Sequence, residues 1–348
     1  MKLMITVFTL FFIQLSVAAD QDIIAEFSRP CCSFGLDVVQ KAVGAAGALG
    51  NDDLGIHNYA RETKKDNVGM MYTCSAGFID ISHLRDTADW SSHIYSKLPV
   101  WLGSGKTVRA RKEGGFKSRS VFFPVIDSHK LLALKIEDKE RIAVAITNSM
   151  ALLHEIATAF PISVSVPGPL FFVYERVSAF SVEDAFSNLQ GAWLGVIAAR
   201  DERTYNDSMT QILYDTMVKY GAQSRENTLN AYQIIKNDWW TASFYNTTKN
   251  VLRRDFTYEG MVTAHLVDEL PFCMNEEPVT LEIPDLLSDG SSVNDYFKIQ
   301  GEMSARMKRK IKKLNLNLGT VITQKDFPRI IEALKVNFVR ELGPQILY

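Results

Sequence analysis

The run Leu152-Leu153-His154-Glu155-Ile156-Ala157-Thr158 sets an imidazole beside a carboxylate on a stretch that reads as a helix. Two histidines four apart share one helical face and can hold zinc, and a glutamate next to the first can polarise the attacking water. The first histidine and the glutamate are present, so Glu155 is the candidate catalytic base. Thr158 stands where the second histidine would, and its hydroxyl is a poor zinc ligand. Downstream, Glu183 and Asp184 offer adjacent carboxylates. Asp184 is either a metal ligand or the partner of Ser181 in a capping box. Upstream, the segment from Gly77 to His93 gathers Asp80, His83, Arg85, Asp86, Asp89 and His93. Asp80 and His83 lie three apart, and Asp89 and His93 four apart, spacings that meet on a helix. A carboxylate that orients an imidazole is what a metal ligand or general base requires. His83 is therefore the nitrogen donor expected to replace the missing second histidine, giving a zinc set of His83, His154 and Asp184 or Glu183. The alternative reading of the same run is an Asp80 N-cap, a solvated Asp86 and an internally paired Arg85.

Several elements must position these groups. Apolar spacing predicts a helix over Ile81 to Leu98, ended by Pro99. Lys106 to Phe123 reads as a hairpin whose second strand is Ser120 to Ile126, and the β-branched run Arg141 to Ile146 as an inner strand. Asn148 or Ser149 then caps a helix over Met150 to Phe160. Prolines 161, 167 and 169 break the chain before a strand over Leu170 to Tyr174. Ser181 caps the next helix, whose apolar face runs through Phe186, Leu189, Trp193 and Val196/Ile197. Asp207 to Tyr220, stopped by Gly221, and Glu226 to Lys236 read as a helical hairpin. Asp37 to Leu49 reads as a helix start and turn, Val279 to Ile283 as a strand, Pro284 to Ser292 as a loop, and Phe327 to Leu342 as a terminal helix. The basic run Met307 to Lys313 reads as a solvated helix face. The fold class is α+β, a helix-rich mixed domain with a small sheet and room for a zincin-like core. The expected division is a leader over 1–19, a main domain over 20–270 and a C-terminal extension over 271–348 packed on it.

The leader reading rests on Lys2, an apolar run from Leu3 to Val17 and small residues at Val17-Ala18-Ala19, a pattern for cleavage near Ala19. The run is shorter than the roughly 20 residues that span a bilayer. The expected location is the periplasm or the medium, with no transmembrane segment in the mature chain. In an oxidising compartment the four cysteines, Cys31, Cys32, Cys74 and Cys273, can form up to two disulfides. Neighbouring Cys31 and Cys32 are poor partners for each other, so each is expected to reach Cys74 or Cys273.

Other chemistries lack their residues. Gly103-Ser-Gly105-Lys106-Thr107 ends like a phosphate loop, but Val100 stands where its first glycine belongs, and there is no Gly-x-Ser-x-Gly elbow or Cys-x-x-Cys pair. His57, His129 and His265 stand alone in sequence. Trp239, Trp240 and Tyr245 could stack on sugar rings or pack a core. Over 348 residues, 38 Lys+Arg against 40 Asp+Glu leave no basic field for nucleic acid, and a mean hydropathy of −0.03 excludes a polytopic membrane protein.

The His154–Thr158 run is similar to zinc peptidases of the His-Glu-x-x-His type, and Asp184-Ala-Phe-Ser187-Asn188-Leu-Gln-Gly191 to the downstream helix of thermolysin-like peptidases, where an acidic ligand sits at the Asp184 position. More specifically, Arg29-Pro-Cys31-Cys32-Ser-Phe-Gly35, Asp80-x-x-His83-x-Arg85, His154-Glu155-Ile-Ala-Thr158 and Ser178-Ala-Phe-Ser181-x-Glu183-Asp184-x-x-Ser187-Asn188 resemble an exported bacterial family catalogued as a domain of unknown function. The resemblance spans at least Arg29 to Gly191, implies an envelope or secreted protein, and brings no catalytic role. Two functions are expected from the residues: a divergent zinc-dependent hydrolase of peptide or cell-wall amide bonds, or a non-catalytic binding protein whose aromatic groove takes a glycan or partner.

Overall fold

A computed structural model describes residues 24, 29, 34, 47–61, 66–110, 114–160, 178–241, 250–273 and 276–347. The leader, Cys31, Cys32, most of Asp37 to Leu49, the strand expected over Leu170 to Tyr174, and Tyr245 lie outside them. A short strand β1 (Ala48–Leu49) runs parallel to β2 (Met70–Thr73), which pairs antiparallel with β3 (Gly77–Asp80). β3 passes directly into α1 (Ile81–Trp101), because Asp80 turns its carboxylate back to accept the N–H groups of Ser82 and His83, at 2.7 and 3.2 Å. The helix continues past Pro99, against expectation. The proline lies in the last turn, where it forfeits one hydrogen bond, and the extra residues bury Trp101 against Phe123 at 5.6 Å.

A hairpin of β4 (Thr107–Ala110) and β5 (Phe116–Phe122) follows, its second strand four residues earlier than the sequence suggested. A short α2 (Ser128–Ala133) leads to α3 (Ile136–Ala159). The inner strand expected over Arg141 to Ile146 is thus corrected to helix, and Asn148 and Ser149 sit in its middle rather than at a cap. Ile142, Ala143, Val144, Ala145 and Ile146 are all buried, and a helix covered on every side shows no 3.6-residue stripe to set it apart from a core strand. By length and composition α3 would also suit a membrane, but 78% of its apolar window is buried against protein.

α4 (Asp184–Arg200) lies along α1, and Gly191 and Gly195 decide how closely. A Cβ at either would stand 2.1 Å from a backbone oxygen of α1, Leu84 or Ala88 respectively. Two glycines four apart therefore let the helices touch, and Ser91 Oγ donates across the seam to Ala192 O at 2.8 Å. α3 packs against both, which makes α1, α3 and α4 a three-helix core. The Ser181 capping box does not form: the residue before α4 is Glu183, with no side-chain cap. α5 (Tyr205–Lys219), stopped by Gly221 at a φ of 71°, packs on α4, whereas α6 (Arg225–Ile234) packs on β1 and β2.

β6 (Met261–Thr263) and β7 (Thr280–Glu282) form a two-stranded ladder. β8 (Lys298–Met303) and β9 (Val321–Thr323) join β4 and β5 in an antiparallel sheet of order β4-β5-β8-β9, so the C-terminal stretch supplies half of it. Between them α7 (Ala305–Lys313) buries Met307 and Ile311 and turns its lysines outward. α8 (Phe327–Leu342), begun by Pro328, closes the main core. The architecture is mixed α+β. A satellite core holds Phe34, Tyr72, Phe78, Trp239 and Trp240, so the two tryptophans are packed inside and form no open aromatic groove. Cys74 is bonded to Cys273, which corrects the expectation that either would join Cys31 or Cys32.

Candidate functional site

His83 sits one turn into α1, and the first residue of α4 meets it: His83 Nδ1 lies 2.7 Å from Asp184 Oδ1 and 3.5 Å from Asp80 Oδ2. One donor atom each from Asp80, His83 and Asp184 fall within 4.8 Å of one another, all buried. Two helix N-termini converge here, and their partial positive charge favours the carboxylates. Ser187 Oγ, a turn into α4, accepts the Asp80 N–H at 3.0 Å and locks the two N-termini together.

α3 contributes Glu155, whose Oε2 accepts the Phe180 N–H at 2.6 Å. Phe180 has a φ of 58°, a left-handed conformation that a phenylalanine adopts only when its surroundings enforce it. The strained turn that aims Asp184 is thus pinned by Glu155. The His154 ring, half-buried, stands edge-on to His83 with centroids 6.4 Å apart. Thr158 spends its hydroxyl on the His154 and Glu155 carbonyls, both at 3.1 Å, so it reaches no ligand position. Glu183 accepts from Ser181 Oγ at 2.5 Å and borders a different void, beside Phe78, Trp239 and His265.

The electrostatics are those of carboxylates short of cations. Burial, more than its neighbours offset, raises the pKa of Asp80. Burial and then the Asp184 charge push Glu155 up to about 7 and Glu183 well above the usual range. Asp184 Oδ2 and Glu183 Oε1 are buried with no hydrogen-bond partner among the described residues. Such oxygens normally find a donor or a cation. Asp184 Oδ2 belongs to a residue that borders a narrow cleft shared with Glu155, Asn148, Asn188 and Asp255. That cleft adjoins a groove of about 710 Å³ along α3, the two sharing Asn148, Leu152 and Ile283.

Of the residues singled out from sequence, His83 and Asp184 meet, Asp80 joins them, Glu155 and His154 flank them, and Glu183 turns aside. Arg85 and Asp89 belong to another network. Arg29 Nε bonds Asp66 at 2.7 Å, and its Nη1 bonds Asp86 and Asp89 at 2.8 and 2.9 Å. His57 Nε2 meets Asp89 Oδ1 at 2.8 Å, Arg85 Nη1 donates to His57 Nδ1 at 2.9 Å, and Tyr205 donates its hydroxyl to Asp89 at 3.0 Å. This replaces the Asp89–His93 pair expected from spacing; His93 packs edge-on to Trp101 at 5.9 Å. Asp86, solvated in the alternative reading of this run, is buried. Neither His57 nor His265 stands alone, since His265 Nε2 lies 3.0 Å from Asp255 Oδ2; His129 is exposed. No local signal linked Arg29 to α1 or Asp255 to the cleft, because each contact joins distant stretches of chain.

The chain belongs to the family described as protein of unknown function (DUF4056), which matches residues 23–267. The matched stretch contains Asp80, His83, Glu155 and Asp184. No curated protein and no solved structure matches the chain.

Proposed function

We propose that the protein is an exported metal-dependent hydrolase of amide bonds, with Asp80, His83 and Asp184 as the zinc-holding set and Glu155 as the general base. The observation that carries this is the convergence of those three buried donors, one of which, Asp184, also has an oxygen with no hydrogen-bond partner among the described residues. The donor set, one imidazole and two carboxylates, suits zinc. Bound there, zinc supplies Lewis acidity and lowers the pKa of its water toward 7. The chain does the rest. Asp80 and Asp184 both lie on the Nδ1 side of the His83 ring, so the three side chains would hold the metal from that side. Glu155, held through Oε2 by Phe180, lines the cleft beside Asp184, accepts a proton from the attacking water and returns it to the leaving nitrogen. His154 flanks His83 edge-on, its ring centroid 6.4 Å away. Export is supported by the leader-like first 19 residues and by the Cys74–Cys273 disulfide, a bond of oxidising compartments. Peptide or cell-wall amides are the substrates this location offers.

Metal analysis of protein purified without chelator and supplemented with zinc tests the reading. Stoichiometric zinc is expected in the native chain, lost in His83→Ala and Asp184→Asn and retained in Glu155→Gln, which loses amide hydrolysis alone. A native chain without zinc overturns it.

A further inference from the structure

The groove that adjoins the cleft has a one-sided charge. It runs beside α3 and the 258–286 stretch, and three of its bordering residues, Glu259, Glu282 and Asp285, are acidic. Neither it nor the cleft is bordered by a lysine or arginine among the described residues, although the chain as a whole carries 38 basic and 40 acidic residues. Glu282 is held by Arg141 Nη2 at 2.8 Å, and Arg141 also donates to Leu286 O at 2.6 Å. The uncompensated charges facing the groove are therefore Glu259 and Asp285, both exposed. Leu152, Met261 and Phe297 give the same groove an apolar lining, and its volume of about 710 Å³ falls within the roughly 300–1,000 Å³ of ligand clefts. Past Asn294, Phe297 and Gln324 the groove meets a third cavity, of about 340 Å³, where the charge reverses at Lys298 and Lys325. At the inner end lies Asp184, 2% exposed, with its unpartnered oxygen.

We propose that this groove binds an extended peptide bearing a cationic side chain, seating the ammonium or guanidinium between Glu259 and Asp285 and laying the adjoining backbone along the groove at the mouth of the Glu155–Asp184 cleft, whose own volume of about 20 Å³ holds one water. The inference rests on the hydrolase reading only for what happens in the cleft; the charge recognition stands on the groove. Apolar walls hold the stem of a lysine or arginine while its head reaches the carboxylates at the rim. A neutral glycan would use neither acid.

Fluorescence anisotropy of the zinc-supplemented full chain with fluorescein-labelled hexapeptides that differ only in a central Lys or Glu tests it. Two rim pairs worth up to about 1 kcal/mol each make the Lys peptide bind about tenfold tighter at low salt. The Glu259→Gln/Asp285→Asn double variant, changed only at exposed positions, is expected to cut that preference to about twofold, and a control Glu226→Gln on α6 to leave it alone. Equal binding of the two peptides, a preference that survives the double variant, or binding of an uncharged chito-oligosaccharide in place of either peptide overturns the inference. His83→Ala keeps the peptide preference, so a failed metal site and a failed groove give different results.

Discussion

Two buried polar clusters share α1 and differ in how their charge is balanced. Around Asp86 and Asp89, Arg29 meets three carboxylates, His57 and Tyr205 also bond Asp89, and Arg85 donates to His57. Burial lowers the Arg29 pKa, but Asp89, Asp86 and Asp66 more than reverse this and keep it charged. Burial would raise Asp89, and its bonds to His57 and Arg29 bring it below the usual carboxylate range. One turn nearer the helix start, burial shifts Asp80, Glu155 and Glu183 toward holding protons, as it does Asp86, raised to about 6 beside Arg29, and two carboxylate oxygens, of Asp184 and Glu183, have no partner among the described residues. A buried charge with its counter-charge is architecture. A buried carboxylate without one is held toward its protonated form, and that is where the proposed metal set lies.

The sharpest way to break this comparison is to remove the guanidinium. Arg29→Met leaves Asp66, Asp86 and Asp89 buried around an aliphatic chain, and losing one partner of a buried ion network typically costs about 3–5 kcal/mol. Thermal unfolding of the zinc-supplemented protein should show a loss of that order. A change below about 1 kcal/mol would mean that the network holds nothing in place and that the contrast between the clusters is empty.

How much of this the sequence carries depends on whether a signal is local. α8 is read to the residue, because an amphipathic face, a proline near its start and a glycine after its end all lie within one stretch. The first half of α3 is misread because burial on all sides erases its periodicity. At the site, residue types sufficed to pick out His83 and Asp184, which lie on different helices yet meet at 2.7 Å. Asp80 was legible as an N-cap, and it is one, but the same carboxylate also faces His83. Glu183 and Asp184 could not be separated by sequence. Adjacent residues at a helix start point about 100° apart, and only packing decides which faces the histidine. The Arg29 network was invisible because its partners come from four separate stretches of chain.

A second test uses pH. Glu155 has a folded pKa of about 7, raised first by burial and then by Asp184. A carboxyl raised on folding contributes stability that is complete below its ordinary value near 4.5 and is lost as pH rises through 7. Urea unfolding of the metal-free protein at pH 5 and pH 8 should therefore show the native chain losing about 2.5 kcal/mol relative to Glu155→Gln. Asp89 on the other cluster has the opposite sign: its stabilisation is present at neutral pH and lost in acid. Zinc should flatten the Glu155 profile by stabilising the charged form. Identical pH slopes for the native chain and the variant would show that Glu155 is compensated after all.

The smallest effect should carry the most informative sign. Glu183 is buried, keeps one oxygen on Ser181 Oγ and leaves Oε1 without a partner, and burial together with the neighbouring Asp184 charge raises its pKa. At pH 7.5 folding must then either protonate it or hold two adjacent carboxylates apart from water. Glu183→Gln keeps the shape and an acceptor for Ser181 and removes that penalty, so the metal-free protein should gain about 1 kcal/mol. Neutralising a charge would thus stabilise one cluster where it destabilises the other. Because Glu183 borders the void beside Trp239 and His265, zinc content should not change. A loss of zinc in Glu183→Gln would move this carboxylate into the ligand set. A destabilisation on the scale of Arg29→Met would mean that Glu183 has a counter-charge and that both clusters are architecture.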